Sequence, residues 1–168
     1  MNNNKITTKE IVVAAMVAAV IGVIFTLLDY AYMPLSAVLG TVFMELTFGI
    51  YMLSPALPMY IVRRPGMAIF GALVAAGVNL LLGSPYGIQL VLAGFLEALG
   101  VGQILGACFV LGRDTYFWGS PWVYGSTVAA GVIIVRLLSS VVIGILLVKV
   151  ITAAIATTGV LNGFRCIQ

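Results

Sequence analysis

The chain of 168 residues carries five acidic side chains, and two of them, Glu45 and Glu97, stand inside long apolar stretches. A carboxylate within a membrane span is costly, so each is a functional candidate from the outset. Glu45 lies nine residues beyond Ser36 and Glu97 nine beyond Ile88, the positions where their apolar segments begin. At about 1.5 Å of rise per helical residue, both sit about 14 Å below one surface, which the charge pattern below makes the outer one. Asn79, Gln89 and Asp29 fall near the outer ends of their own segments. Phe48, Tyr51, Tyr86 and Tyr30 can wall the space between. Carboxylates and amides beside aromatic faces suit a flat nitrogen heterocycle, with cation–π attraction if the ring is charged. The expected substrate-binding set is Glu45, Glu97, Asn79, Tyr51, Phe48, Tyr86 and Gln89. Each also has a plainer reading. Either glutamate can pair with Arg136 or cap a helix, Asn79 can join two helices, and Asp29 can reach water.

The elements that hold these residues must be membrane helices. Hydrophobic residues make up 62% of the chain and charged ones 8%, against about 25% charged in a soluble domain. A spanning helix needs about 20 apolar residues, so six spans would use about 120 and leave short loops. The stretches Ile11–Leu28 and Ile88–Leu111 are continuous rather than alternating, which excludes barrel strands. The expected architecture is all-α, a single polytopic domain of six transmembrane helices over residues 1–168. The spans run over about 11–32, 36–62, 67–82, 88–112, 117–134 and 136–156. Pro34 is expected to break the chain after the first, and Arg63-Arg64-Pro65-Gly66 and Gly83-Ser84-Pro85-Tyr86-Gly87 mark turns. The last join, near Arg136, has no Gly/Pro signal. The first run, after Lys5 and Lys9, reads as a retained helix rather than a cleaved leader.

Basic residues orient the bundle. Lys5, Lys9, Arg63, Arg64, Arg113 and Arg165 fall on one side if six spans alternate, and that side is the cytoplasm, with both termini. Lys149 can snorkel toward it, and Arg136 alone faces outward. The net charge of +3 follows from this asymmetry and calls for a bilayer, not nucleic acid. Tyr116, Phe117, Trp118, Trp122 and Tyr124 read as an interfacial belt.

Several chemistries are excluded. Without histidine, His-based zinc sites, His proton relays and Ser-His triads all fall away. Cys108 and Cys166 form no CxxC pair, and no phosphate-binding GxxxxGK[ST] loop occurs. Asp29 and Asp114 lie on opposite faces and cannot form an intramembrane aspartyl pair. No metal site, cofactor or enzymatic activity is expected. In the first span Ala14, Ala15, Ala18 and Ala19 give two overlapping small-xxx-small pairs, a face for close helix approach, either to a partner or within this chain. Gly71–Ala75 and Ala72–Ala76 repeat the pattern.

The segments Glu45-Leu46-Thr47-Phe48-Gly49-Ile50-Tyr51, Ile61-Val62-Arg63-Arg64-Pro65-Gly66 and Leu82-Gly83-Ser84-Pro85-Tyr86-Gly87 resemble the YkoE family, in both order and spacing. Arg136-Leu137-Leu138-Ser139-Ser140 and Thr158-Gly159-Val160-Leu161-Asn162 are similar too. That family comprises substrate-binding S components of energy-coupling factor (ECF) transporters. The resemblance implies a six-helix S component for thiamine or its hydroxymethylpyrimidine precursor. It further implies a transmembrane T component, two ABC-type ATPases, and docking of the T component on the alanines of the first helix. Glu45 matches a family glutamate. Glu97-Ala98-Leu99-Gly100-Val101-Gly102 departs from the family's Gln-Gly-Leu-Gly-Ala-Glu-like segment, with Glu97 where the amide stands and Gly102 where the acid does. A self-contained carrier or channel is the alternative, and an assembly protein would leave the matched glutamates unexplained.

Overall fold

Thr7 opens the first helix. Its hydroxyl accepts the Glu10 N–H at 3.3 Å, and the Glu10 carboxylate accepts the Thr7 N–H at 2.7 Å, so the side chains reciprocally cap a helix start. From there α1 runs over Thr8–Leu39. The computed structural model describes residues 6–39, 45–64, 66–99, 125–162 and 164. A 3₁₀ turn, Glu45–Thr47, leads into α2 (Phe48–Tyr51) and α3 (Leu53–Val62). Helix α4 spans Met67–Leu81, α5 Gln89–Ala98 and α6 Gly125–Thr157. The described residues are helices and turns.

Three segments are long and apolar enough to cross a membrane: Thr8–Tyr32, Glu45–Val62 and Ile133–Thr157. Met67–Leu81 and Gln89–Ala98 are shorter apolar helices. Exposed Met16, Val20, Leu27, Val142 and Leu146 give α1 and α6 apolar outer faces, as lipid requires. The chain is a multi-pass membrane protein.

Three expected boundaries are corrected. Pro34 does not break the chain but lies inside α1, although the apolar crossing segment itself ends at Tyr32. A proline costs one helical hydrogen bond, a loss that membrane helices tolerate. The second span does not begin as a helix at Ser36, because α1 still holds that residue and a 3₁₀ turn begins at Glu45. The join between spans 5 and 6 is absent, since α6 passes through Ile134–Arg136 without interruption. No glycine or proline stands there to stop it. The described residues hold three segments long enough to cross and two shorter apolar helices, and a sixth such helix is not among them. The end of expected span 4, the start of span 5, Arg113, Asp114, Cys108 and the aromatic cluster around Trp118 and Trp122 lie outside the described residues, as do Lys5, Arg165 and Cys166.

Small residues set the packing. A Cβ at Gly22 of α1 would come within 2.6 Å of the Ala75 carbonyl of α4, and Ala72, Ala75 and Ala76 are buried. The α4 pairs thus pack inside the chain. Ala14 and Ala18 are fully buried as well, which removes them from any surface for a partner. Only Ala15 and Ala19 of the four stay partly accessible. At one end of the bundle the Arg64 Nε meets Glu10 at 3.2 Å, and the Lys9 Nζ donates to the Asn162 carbonyl at 3.0 Å. The start of α1, the end of α3 and the turn after α6 therefore share one end.

Gly49 of α2 abuts α6. A Cβ there would press on the Ser139 carbonyl and lie 2.8 Å from the Ile143 Cβ. Gly49→Ala should therefore lower stability by about 1–3 kcal/mol, read as a lower thermal midpoint in detergent. Gly77→Ala meets nothing within 4 Å and serves as the control, with an unchanged or raised midpoint.

Candidate functional site

The residues with chemistry to offer gather toward the opposite end, in two linked clusters. The first is built on Asp29. Its Oδ1 accepts the Tyr51 hydroxyl at 2.7 Å, and its Oδ2 accepts the Asn79 amide at 2.9 Å and the Ser84 hydroxyl at 2.7 Å. Asp29 and Asn79 are each 1% exposed. The Asn79 Oδ1 also accepts the Thr26 hydroxyl at 2.8 Å, so its amide is used on both sides to tie α4 to α1. Next to it the Tyr30 hydroxyl donates to the Gly83 carbonyl at 2.8 Å. One turn of α1 thereby holds the α4–α5 turn, and it holds α2 through Tyr51. The expectation that Asp29 reaches water is overturned: the Ser84 turn closes over it and supplies donors in place of solvent.

The second cluster is built on Arg136. Its Nη1 lies 3.3 Å from the Glu45 Oε2, with both side chains almost wholly buried. The guanidinium also rests on the Phe48 ring, 3.3 Å from the centroid, a close cation–π contact. Glu97, half-buried on α5, and Tyr32 of α1 act electrostatically on the same guanidinium. One turn along α6 the Ser139 hydroxyl donates to the Leu46 carbonyl and accepts the Gly49 N–H at 3.0 Å. That double bond to the 3₁₀ turn and α2 sets Glu45 against Arg136. Arg136 was expected to face outward at the start of a sixth span; an unbroken α6 carries it into the bundle, where it makes the pairing with Glu45 that was the plainer reading of that glutamate. The missing turn signal around residue 135 was the clue, since uninterrupted apolar sequence on both sides means helix.

Aromatic rings join the clusters. Phe48 and Tyr51 stack with centroids 5.8 Å apart, and Phe25 tilts against Tyr51 at 4.7 Å. Tyr86 and Tyr32 both act on the Tyr51 hydroxyl. Of the expected set, Glu45 and Phe48 meet Arg136 directly and Tyr51 stacks on Phe48, while Glu97 and Tyr86 are linked to Arg136 and Tyr51 by charge alone. Asn79 takes the helix-joining place. Gln89 opens α5 with its side chain exposed. Tyr30 spends its hydroxyl on the turn rather than on the site. Among the described residues no three His, Cys, Asp or Glu side chains come together as metal ligands.

Known proteins match this chain over most of its length. The model of the family described as "ABC-type cobalt transport system, permease component" matches residues 9–110. A protein of Bacillus subtilis (strain 168) with the provisional name HMP/thiamine permease protein YkoE is 26% identical over 173 residues, covering 92% of this chain and 87% of its own. A crystal structure of an S-component of an ECF transporter superposes with a TM-score of 0.81 at 24% identity, covering 96% of this chain and 91% of that one. The bundle therefore has the S-component fold, and the resemblance to YkoE extends over nearly the whole chain.

The Asp29 cluster yields a direct test. An amide cannot accept from three donors as a carboxylate does, because its NH₂ would face one of them. Asp29→Asn should lower stability by about 1–3 kcal/mol, and Ser84→Ala by less, in thermal unfolding. An unchanged midpoint for Asp29→Asn would mean that these bonds do not hold the turn.

Proposed function

The chain belongs to the permease family of ABC-type cobalt transport systems, and from that premise we propose that it is the substrate-binding S component of an ATP-driven ECF-type importer, capturing thiamine or its hydroxymethylpyrimidine precursor. The observation that carries this reading is the buried Glu45–Arg136 pair set against the stacked rings of Phe48 and Tyr51, with the Glu97 charge acting on the same guanidinium. Hydrogen-bonding groups on an aromatic wall suit a small aminopyrimidine. The name of the Bacillus relative points the same way. The family description names cobalt, but a cation placed between the two glutamates would meet the Arg136 charge. The chain also lacks the imidazole that transition metals favour. No catalytic constellation is invoked, and the role is binding.

In this reading Glu45, Glu97, Phe48, Tyr51 and Tyr86 contact the ligand, and Asn79 with Asp29 supports them. Helices α5 and α6 run the same way, toward the end where Lys9 meets Asn162, in keeping with a six-helix bundle. That end, with Lys9, Arg63 and Arg64, faces the cytoplasm with both termini. The partners are a T component and two ABC-type ATPases. Ala15 and Ala19, on the accessible side of α1, are the docking positions that remain.

Calorimetric titration of the purified chain should show binding of thiamine or hydroxymethylpyrimidine and none of riboflavin, biotin or Co²⁺. Glu45→Gln and Glu97→Gln should each weaken it about ten- to a hundred-fold, the worth of one charge-assisted hydrogen bond. Binding of Co²⁺ alone would return the chain to the metal cargo of its family description.

Docking is tested separately. Ala15→Leu/Ala19→Leu should bind vitamin normally, fail to co-purify with the T component and abolish uptake, because bulk there holds a partner helix away. In the same cells, Cys166 should escape a membrane-impermeant thiol reagent in a Cys108→Ala background. Retained partner with lost ligand binding would place those alanines in internal packing, and uptake without the ATPases would favour a self-contained carrier.

A further inference from the structure

The Glu45–Arg136 pair is buried yet incomplete. Glu45 is 1% exposed and Arg136 3%. Their nearest atoms stand 3.3 Å apart as an ion pair. The Glu45 Oε2 and the Arg136 Nε and Nη1 nevertheless have no hydrogen-bond partner among the described residues. A guanidinium offers five N–H donors in a planar fork, and a carboxylate accepts on two oxygens. Buried charge with that capacity unused is expensive, and native structures rarely keep it without a reason. An ion pair retained only for packing would be expected to close into the bidentate form.

Neighbouring contacts fix where the two partners stand. The guanidinium carbon lies 3.3 Å from the Phe48 ring centroid, and the next turn of α6 is bonded through Ser139 to Leu46 and Gly49 on either side of that ring. Glu45 belongs to the 3₁₀ turn that the same serine holds. The spare donors and the spare acceptor are therefore held side by side, in place before anything binds.

Their charges select what can use them. An anion would satisfy Arg136 but face Glu45 and Glu97. A bare cation would satisfy the glutamates but face Arg136. A neutral planar group with an N–H donor on one atom and an acceptor on the next satisfies both without opposing either. Building on the functional reading above, we propose that Glu45 and Arg136 together read the amidine edge of a neutral aminopyrimidine. Glu45 accepts from the exocyclic amine, and Arg136 donates to the adjacent ring nitrogen, which is bound unprotonated. The pair is thereby a specificity determinant. A 4-oxo pyrimidine reverses the edge, turning a ring N–H toward Arg136 and a carbonyl toward Glu45.

Calorimetry on the full-length chain tests this with 4-amino-5-hydroxymethyl-2-methylpyrimidine and its 4-oxo counterpart. The wild type should bind the amino compound at least about a hundred-fold more tightly, because two buried contacts turn repulsive in the other. Arg136→Met should cost about ten- to a hundred-fold for the amino compound, and Arg136→Lys should recover only part, lacking the planar fork. Arg136→Met leaves Glu45 buried alone and can unfold the chain. The doubly neutral Glu45→Gln/Arg136→Met avoids that charge and should bring the affinities for the two compounds together. Equal wild-type affinity for both compounds, or a double variant that keeps the full preference, overturns the edge assignment while the vitamin reading stands. A wild type that binds neither compound nor thiamine overturns the vitamin reading, and this inference with it.

Discussion

Charge and polarity carried into a bilayer must find their partners inside the protein, and the Ser139 contact decides where they do so here. A membrane supplies little hydrophobic gain when helices associate, so close backbone approach and buried hydrogen bonds must hold the bundle. Ser139 bridges α6 to both the Leu46 carbonyl and the Gly49 amide, at a point where a glycine lets the backbones meet. That contact brings Arg136 over Phe48 and beside Glu45. Phe48 stacks on Tyr51, and Tyr51 reaches Asp29. Every other polar tie between α1, α2 and the α4–α5 turn continues from there.

The two polar clusters use opposite strategies. Around Asp29 three donors meet one carboxylate, and the result joins three elements. Around Arg136 two charges face each other with hydrogen bonds left unmade. The first arrangement costs little once assembled, whereas the second leaves buried donors and an acceptor unused. This division separates scaffold from site better than burial does, because Asp29, Asn79, Glu45 and Arg136 are all buried alike.

Much of the bundle was legible from residue types. Continuous apolar runs give membrane helices whatever their neighbours do, and the turns at Arg63–Gly66 and Gly83–Gly87 carry left-handed residues where the motifs placed them. Glu45, Phe48 and Tyr51 could be singled out because each sits within one short segment whose periodicity survives in the fold. What escaped were features that depend on two distant segments. Arg136 was placed at an outward-facing span end by the charge rule, although its pairing with a glutamate was open; which reading holds depends on Glu45, 91 positions away. Asp29 looked solvated because the Ser84 turn that covers it lies on another element. Pro34 was read as a break, but a missing hydrogen bond does not stop a helix that lipid leaves no alternative. The alanines of α1 were one stripe by spacing, yet the bundle buries Ala14 and Ala18 and leaves their neighbours at its margin.

The unbroken course of α1 also makes it a mechanical part. Ala19 and Asp29 belong to one helix with no proline between them, about 15 Å apart along its axis. Asp29 and Tyr30 in turn grip the Gly83–Ser84 turn and the Tyr51 ring. The position of α1 and the positions of that turn and ring are therefore set together. Helix α1 is thus one continuous strut between the small residues at its middle and the polar ties beside Tyr51.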